Sequence, residues 1–172
     1  DEAFMDTVPG EPESLAGDAV PGLVVIRSLT KHWSIPGIRA GYLLAEPSMV
    51  AALRALQVPW SVSSPAVAAM LACSTDEARA ESRQRALQLA SWRTDLERGL
   101  RGLDIDVVAS TTSFVLARAG VGVHHALREA GIAVRRADTF PGLGPDWMRI
   151  AVRPPEVTAR LMSALGDLRA GA

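Results

Sequence analysis

Apolar positions along this chain first bunch, then take a helical spacing, then bunch again. Leu23-Val24-Val25-Ile26 is an unbroken apolar run between Pro21-Gly22 and Ser28. Such a run predicts a strand buried on both faces, as in a parallel sheet. Ile38 to Ala45 predicts a second strand, closed by Glu46-Pro47. Pro47 suits the first turn of a helix, which should run to Gln57. Val58 to Ser64 reads as a loop, and Pro65 opens an Ala-rich helix to Ser74. From Thr75 to Leu103 the period changes. Leu89, Trp92, Leu96, Leu100 and Leu103 follow at intervals of 3, 4, 4 and 3, which puts them on one helix face. Thr75-Asp76-Glu77 caps that helix with negative charge at its positive end.

Beyond Gly102 the order reads strand, strand, helix, strand, strand, helix. Ile105 to Ala109, Phe114 to Ala117, Ile132 to Val134 and Met148 to Val152 are the strand candidates. Val121 to Ala130 is a short helix stopped by Gly131. Pro154-Pro155-Glu156 starts a final helix with Val157, Leu161, Ala164, Leu165 and Leu168 at helical spacing. Before all of this, Asp1 to Ala19 is acidic and rich in Pro and Gly, and reads as a strand end running into a surface loop.

Composition narrows the function classes. A chain of 172 residues is one domain, or one domain and part of another. A net charge of −1 gives no general field for nucleic acid or an anionic membrane. No apolar run approaches the roughly 20 residues needed to span a bilayer. Cys73 is the only cysteine, so no internal disulfide forms; it reads as a small apolar filler in a reducing, cytoplasmic setting. His124 and His125 are adjacent and point to different sides of a helix, so no metal site is expected there.

Candidate chemistry centres on Ser28-Leu29-Thr30-Lys31, followed by His32-Trp33-Ser34-Ile35-Pro36-Gly37-Ile38-Arg39-Ala40-Gly41. Lys31 is the only lysine among 18 basic residues. A coding preference for arginine accounts for that count, and so does a need for an amine. Arginine cannot supply one, because its guanidinium does not deprotonate in proteins, whereas lysine becomes a nucleophile once its pKa falls.

The surrounding order is Asp1-Glu2-Ala3-Phe4, an apolar strand, Ser-x-Thr-Lys, then Pro-Gly-Ile-Arg-x-Gly-Tyr. It resembles the fold-type I pyridoxal-phosphate enzymes of the class I/II aminotransferase superfamily. Within them it is most similar to the branch holding histidinol-phosphate aminotransferase and threonine-phosphate decarboxylase of cobalamin synthesis. The resemblance implies an α/β fold. Residues 1–75 would be the C-terminal part of the large cofactor-binding domain, with its mostly parallel sheet. Residues 76–103 would be a long linking helix and 104–172 a small α+β domain. In that family the Asp-Glu-Ala motif lies midway along a chain about twice as long, beyond one ordinary domain. The chain is therefore expected to be a C-terminal half, with the N-terminal half of the same enzyme and a second subunit as partners.

The resemblance also implies roles. Lys31 would carry pyridoxal 5'-phosphate on its amine and exchange protons at the reacting carbons. Asp1 would pair with the pyridine nitrogen and keep the ring cationic. Ser28 and Arg39 would hold the cofactor phosphate, with Gly37 and Gly41 allowing close backbone approach. Phe4 stands where many aminotransferases have a tyrosine that bonds the ring oxygen. His32 would stack near the cofactor or be an ordinary loop histidine. Arg149, in Met-Arg-Ile-Ala-Val-Arg, would bind a substrate carboxylate, and Arg135 or its neighbour Arg136 a substrate phosphate. Ser113-Phe114 replaces the Asn-Phe of many relatives.

Two outcomes follow from the orientation of the bound substrate: loss of carbon dioxide, or transfer of the amino group. Phe4, Phe140-Pro141-Gly142-Leu143 and the Arg149 strand favour a threonine-phosphate decarboxylase-like enzyme, with a histidinol-phosphate-type aminotransferase as the alternative. A third reading is a folded fragment without catalysis on its own. A large-domain sheet lacking half its strands should leave an apolar face uncovered.

Overall fold

The computed structural model describes residues 1–171. The chain divides into two compact units, Asp1–Leu87 and the residues from Gln88 onward.

The first unit is built on two strands, β1 (Val24–Ser28) and β2 (Gly41–Ala45). They pair antiparallel, with Val24 opposite Ala45 and Ser28 opposite Gly41. Between them lie the four-residue helix α1 (Leu29–His32) and a 3-10 turn, Pro36–Ile38. The predicted second strand begins three residues late, because Pro36–Ile38 turns and Arg39 takes a left-handed conformation at φ 58° and ψ 47°. The expected α/β class holds, but these two strands form no parallel pair. A parallel pair needs a long crossover, whereas the short turn-rich connection returns the chain directly. Nor is β1 apolar on both faces. It alternates, with Val25 and Arg27 buried and Ile26 half exposed. Asp1 ends no strand: the N-terminal segment is irregular apart from a 3-10 turn at Met5–Thr7, and is tied to β1 by the Glu2 N–H donating to the Ile26 carbonyl at 2.8 Å.

Helices α2 (Pro47–Ala55) and α3 (Ser64–Cys73) follow. Pro47 and Pro65 occupy first-turn positions where no backbone N–H is required. Ser63 caps α3 through the Ala66 N–H at 3.3 Å. Leu29, Ala40 and Ala66 are the buried centre of this unit, flanked by Trp33, Ile38, Met70 and Cys73. Helix α4 (Asp76–Gly102) runs from this unit into the next, with Thr75 capping it through the Ala78 N–H.

The second unit is a four-stranded antiparallel sheet of β3 (Asp106–Val108), β4 (Phe114–Arg118), β5 (Arg135–Arg136) and β6 (Trp147–Ala151) in the order β3-β4-β6-β5. The strand expected over Ile132–Val134 lies just beyond it, at Arg135–Arg136. Gly131, at φ 74°, ends α5 (Val123–Glu129), and the chain joins the sheet only after that turn is complete. Helix α6 (Pro155–Ala170) closes the unit. Val115, Ala117, Met148 and Ile150 point to one face and pack with Leu96 and Leu100 of α4, Leu127 of α5, and Leu161 and Leu165 of α6. The other face carries Phe114, Leu116 and Arg149, because side chains alternate along a strand. No helix among the described residues is long and apolar enough to cross a membrane.

Candidate functional site

Lys31 sits on α1, directly after β1 ends at Ser28. Its amine is solvent-exposed and stands 5.7 Å from the centre of the Phe4 ring. No carboxylate lies within ion-pair distance of it among the described residues. The N-terminal segment brings Phe4 there. Phe4 is followed by the turn in which the Thr7 N–H and hydroxyl both donate to the Phe4 carbonyl, at 3.0 and 2.7 Å. Ser28 and Thr30 place their hydroxyl oxygens 2.8 Å apart at the start of the same helix. Thus Phe4, Ser28, Thr30 and Lys31 are drawn together by one strand end and one turn.

Arg39 lies on the return path to β2. Its left-handed backbone costs a non-glycine residue roughly 1–2 kcal/mol, and such strain gathers at working positions. Its guanidinium donates to the Pro36 carbonyl, at 3.0 Å, and stays exposed. Gly41 is required by close approach: a Cβ there would lie 2.8 Å from the Arg27 carbonyl oxygen. Gly37 is not, since a Cβ at that position meets nothing within 4 Å. Asp1 accepts the Ala3 N–H at 3.0 Å, and no ion pair joins it to Lys31 among the described residues.

His32 does not face the same side as Lys31. It is buried, with Nε2 3.0 Å from the Ser82 hydroxyl and its ring edge-on to Trp33 at 5.6 Å. Burial pushes its pKa down; Asp6 pulls the other way, and Arg85 adds to the depression. Stacking on a cofactor beside Lys31 is therefore not its role.

One feature of this unit escaped the sequence reading. Arg27 is buried and gathers Glu2, Asp6 and Glu11 at 2.9, 2.6 and 2.6 Å. Burial alone would raise the Glu2 carboxyl, but the Leu15 N–H, the Ser14 hydroxyl and Arg27 outweigh it and hold it low. Burial raises Asp6 in spite of Arg27, with Glu11 adding to the rise. The available signal was a lone arginine at the end of an apolar run, preceded by spaced acids.

In the second unit Arg135 and Arg149 are direct cross-strand partners of β5 and β6. Arg149 lies over the Phe114 ring at 4.7 Å and Arg135 over the Phe140 ring at 5.1 Å. Burial, then the charge of Arg135, pushes the Arg149 guanidinium below its ordinary value. Like charges directly opposite on a sheet repel, and neither arginine has a carboxylate partner among the described residues. Arg136 differs: its Nε donates to Asp138 at 2.7 Å. His124 Nε2 lies 3.1 Å from the Val134 carbonyl.

The chain is similar to known proteins both in sequence and in structure. Residues 1–165 match the family model for aminotransferase class I and II. Over 156 residues the chain is 42% identical to a histidinol-phosphate aminotransferase of Mycobacterium tuberculosis, covering 90% of this chain and 43% of that one. It is 31% identical to the threonine-phosphate decarboxylase of Salmonella typhimurium, covering 99% of this chain and 48% of that one. Among solved structures it superposes on the histidinol-phosphate aminotransferase of Clostridium acetobutylicum with a TM-score of 0.88 and 27% identity, over all of this chain and 54% of that chain. The Sinorhizobium meliloti enzyme of the same name, solved with pyridoxal-5'-phosphate, shares the fold at a TM-score of 0.82 and 24% identity. The chain spans about half the length of the curated relatives it matches.

Proposed function

The chain belongs to the aminotransferase class I and II family, and from that premise we propose that it is the C-terminal half of a pyridoxal-phosphate enzyme acting on a phosphorylated amino compound. In this reading residues 1–75 complete the cofactor domain, 76–103 link, and 104–172 form the small domain. The observation that carries it is the Lys31 amine, exposed, without a carboxylate partner among the described residues, 5.7 Å from the Phe4 ring and next to the Ser28–Thr30 hydroxyl pair.

That donor set fits the cofactor. An unpaired amine suits its aldehyde, the Ser28 hydroxyl and the Arg39 guanidinium suit its phosphate, and Phe4 offers an apolar neighbour. When bound, pyridoxal phosphate supplies the electron sink for bonds broken at the substrate Cα. The protein supplies position and charge. Asp1 favours a protonated ring nitrogen. The Lys31 amine would serve as the base that takes a proton from the substrate Cα. Arg149 would hold a substrate carboxylate by paired hydrogen bonds and so orient the bonds at Cα. Arg135 is the better candidate than Arg136 for a substrate phosphate, since Arg136 is already bonded to Asp138. An anion between Arg135 and Arg149 would relieve their repulsion.

Similarity favours amino transfer, since the relative at 42% identity is named an aminotransferase. That reverses the order suggested by the motifs. Decarboxylation remains the second reading, favoured by Phe4, which cannot donate the hydrogen bond of a tyrosine. We place the enzyme in the cytoplasm as a homodimer completed by its N-terminal half.

Borohydride reduction of the full-length protein with pyridoxal phosphate tests the cofactor reading. An adduct on the peptide containing Lys31 is expected, and its absence overturns the assignment. Glutamate formed from histidinol phosphate and 2-oxoglutarate separates the two reactions, against carbon dioxide released from threonine phosphate.

A further inference from the structure

Arg27 is 5% exposed and plays no part in the chemistry above. Its Nη1 donates to Asp6 Oδ1 at 2.6 Å. Its Nη2 reaches Glu11 Oε2 at 2.6 Å, Ser14 Oγ at 2.8 Å and Glu2 Oε2 at 2.9 Å. All four partners lie between residues 2 and 14, a segment with no strand or α-helix of its own. Glu2 is the second hub. Its Oε1 accepts the Leu15 N–H at 2.8 Å and its Oε2 accepts the Ser14 hydroxyl at 2.9 Å. Asp1 precedes Glu2, and Phe4 lies two residues beyond it. On the other side, Arg27 is the penultimate residue of β1, which leads through Ser28 into the helix carrying Lys31.

One guanidinium among three carboxylates is a poor device for stability alone, because apolar side chains of similar size commonly serve as well. Among the described residues Nε has no hydrogen-bond partner, while both terminal nitrogens bond to the N-terminal segment. The arrangement uses the forked donor set that distinguishes arginine from lysine.

We propose that Arg27 is a positioning residue that clamps Glu2, Asp6 and Glu11 and thereby sets Asp1 and Phe4 in register with the Lys31 amine. The inference rests on the cofactor reading above. The test compares Arg27→Lys and Glu2→Gln in the full-length protein, with Val25→Ala as a buried apolar control on the same strand. Both polar variants should speed hydrogen exchange of the amides in residues 2–15 while leaving residues 147–151 unchanged. Pyridoxal-phosphate affinity should fall roughly tenfold, the size expected for one misplaced charge-assisted contact. The pH at which the bound cofactor's absorption changes should shift. Val25→Ala should lower the melting temperature without that shift. Unchanged exchange in Arg27→Lys overturns the proposal. So does a lower melting temperature with cofactor affinity and absorption midpoint unmoved. Should Arg27→Lys not fold, Glu2→Gln decides, since it keeps the side-chain shape and removes one charge. If the unaltered protein binds no cofactor, the cofactor reading falls and this inference falls with it. Faster exchange with an unmoved midpoint, in a protein that does bind cofactor, overturns this inference alone.

Discussion

In the second unit four antiparallel strands lay Val115, Ala117, Met148 and Ile150 against Leu96, Leu100, Leu127, Leu161 and Leu165, and none of these exceeds 7% exposure. In the first unit two strands offer Tyr42, Leu43 and Leu44 to solvent, α3 leaves Leu71 69% exposed, and Trp60 is 98% exposed. The buried centre there is Leu29, Ala40 and Ala66, two of them alanines. Helix α3 is apolar nearly all round, which is the signature of a helix made to be surrounded. A two-stranded ribbon is marginal by itself, whereas three or more strands with a covered face are stable. The second unit thus holds a closely buried core, and the first leaves more of its large apolar side chains exposed. That contrast agrees with a match to about half of each relative.

The sharpest way to break this comparison is dissection. A piece beginning at Thr75 retains all of α4 and the second unit's core, and should unfold cooperatively in urea. A piece ending at Ser74 should show no cooperative transition and should bind a dye that reports exposed apolar surface. A cooperative first piece with no dye binding would overturn the contrast.

Core truncation is the next largest effect. Leu100→Ala removes a side chain with no exposure and should cost about 2–5 kcal/mol in the second unit, read from the urea midpoint. Glycine replacements at the first residue of β2 and on the turn before it are smaller and divide cleanly. Gly41→Ala forces a Cβ to 2.8 Å from the Arg27 carbonyl and should destabilise the strand pair by about 1–3 kcal/mol. Gly37→Ala meets open space and should stay within about 0.5 kcal/mol. Equal effects at the two glycines would show that the strand pair is not closely apposed.

The smallest effect is a pH dependence confined to the first unit. Burial holds the His32 imidazole below its ordinary value. As pH falls below about 6.5 the unfolded chain therefore takes up the proton first, so the stability His32 contributes is present above that pH and is lost as pH falls toward the folded-state value. Asp6 acts with the opposite sign, since burial raises it and its contribution is lost as pH rises. His32→Gln isolates the imidazole. Segment-resolved hydrogen exchange between about pH 7.5 and pH 5.5 should show residues 29–33 loosening in the unaltered protein and less so in the variant. A profile identical in both would remove His32 as the cause.

Much of this was legible in the residues. The long helix followed from the 3, 4, 4, 3 spacing of Leu89 to Leu103, and Leu96 and Leu100 lie in the core as that face requires. The prolines and the Thr75 cap marked helix starts, whereas the Ser63 cap lay inside a stretch read as loop. What failed was direction and depth. The apolar run at Leu23–Ile26 looked doubly buried, but periodicity cannot tell a covered face from one awaiting cover. The second strand began late because a left-handed arginine has no composition signal.

The sequence by itself determined the local elements and the motif around Lys31, because helix period, caps, prolines and a fixed spacing of functional groups are properties of neighbouring residues. Only the tertiary structure decided that Arg27 would gather three acids from residues 2–11, that His32 would turn inward to Ser82, and that Arg135 would stand opposite Arg149. Each of those pairs residues far apart in the chain. Their meeting depends on register and chain return, which arise from the summed packing of whole elements and leave no mark on any single stretch.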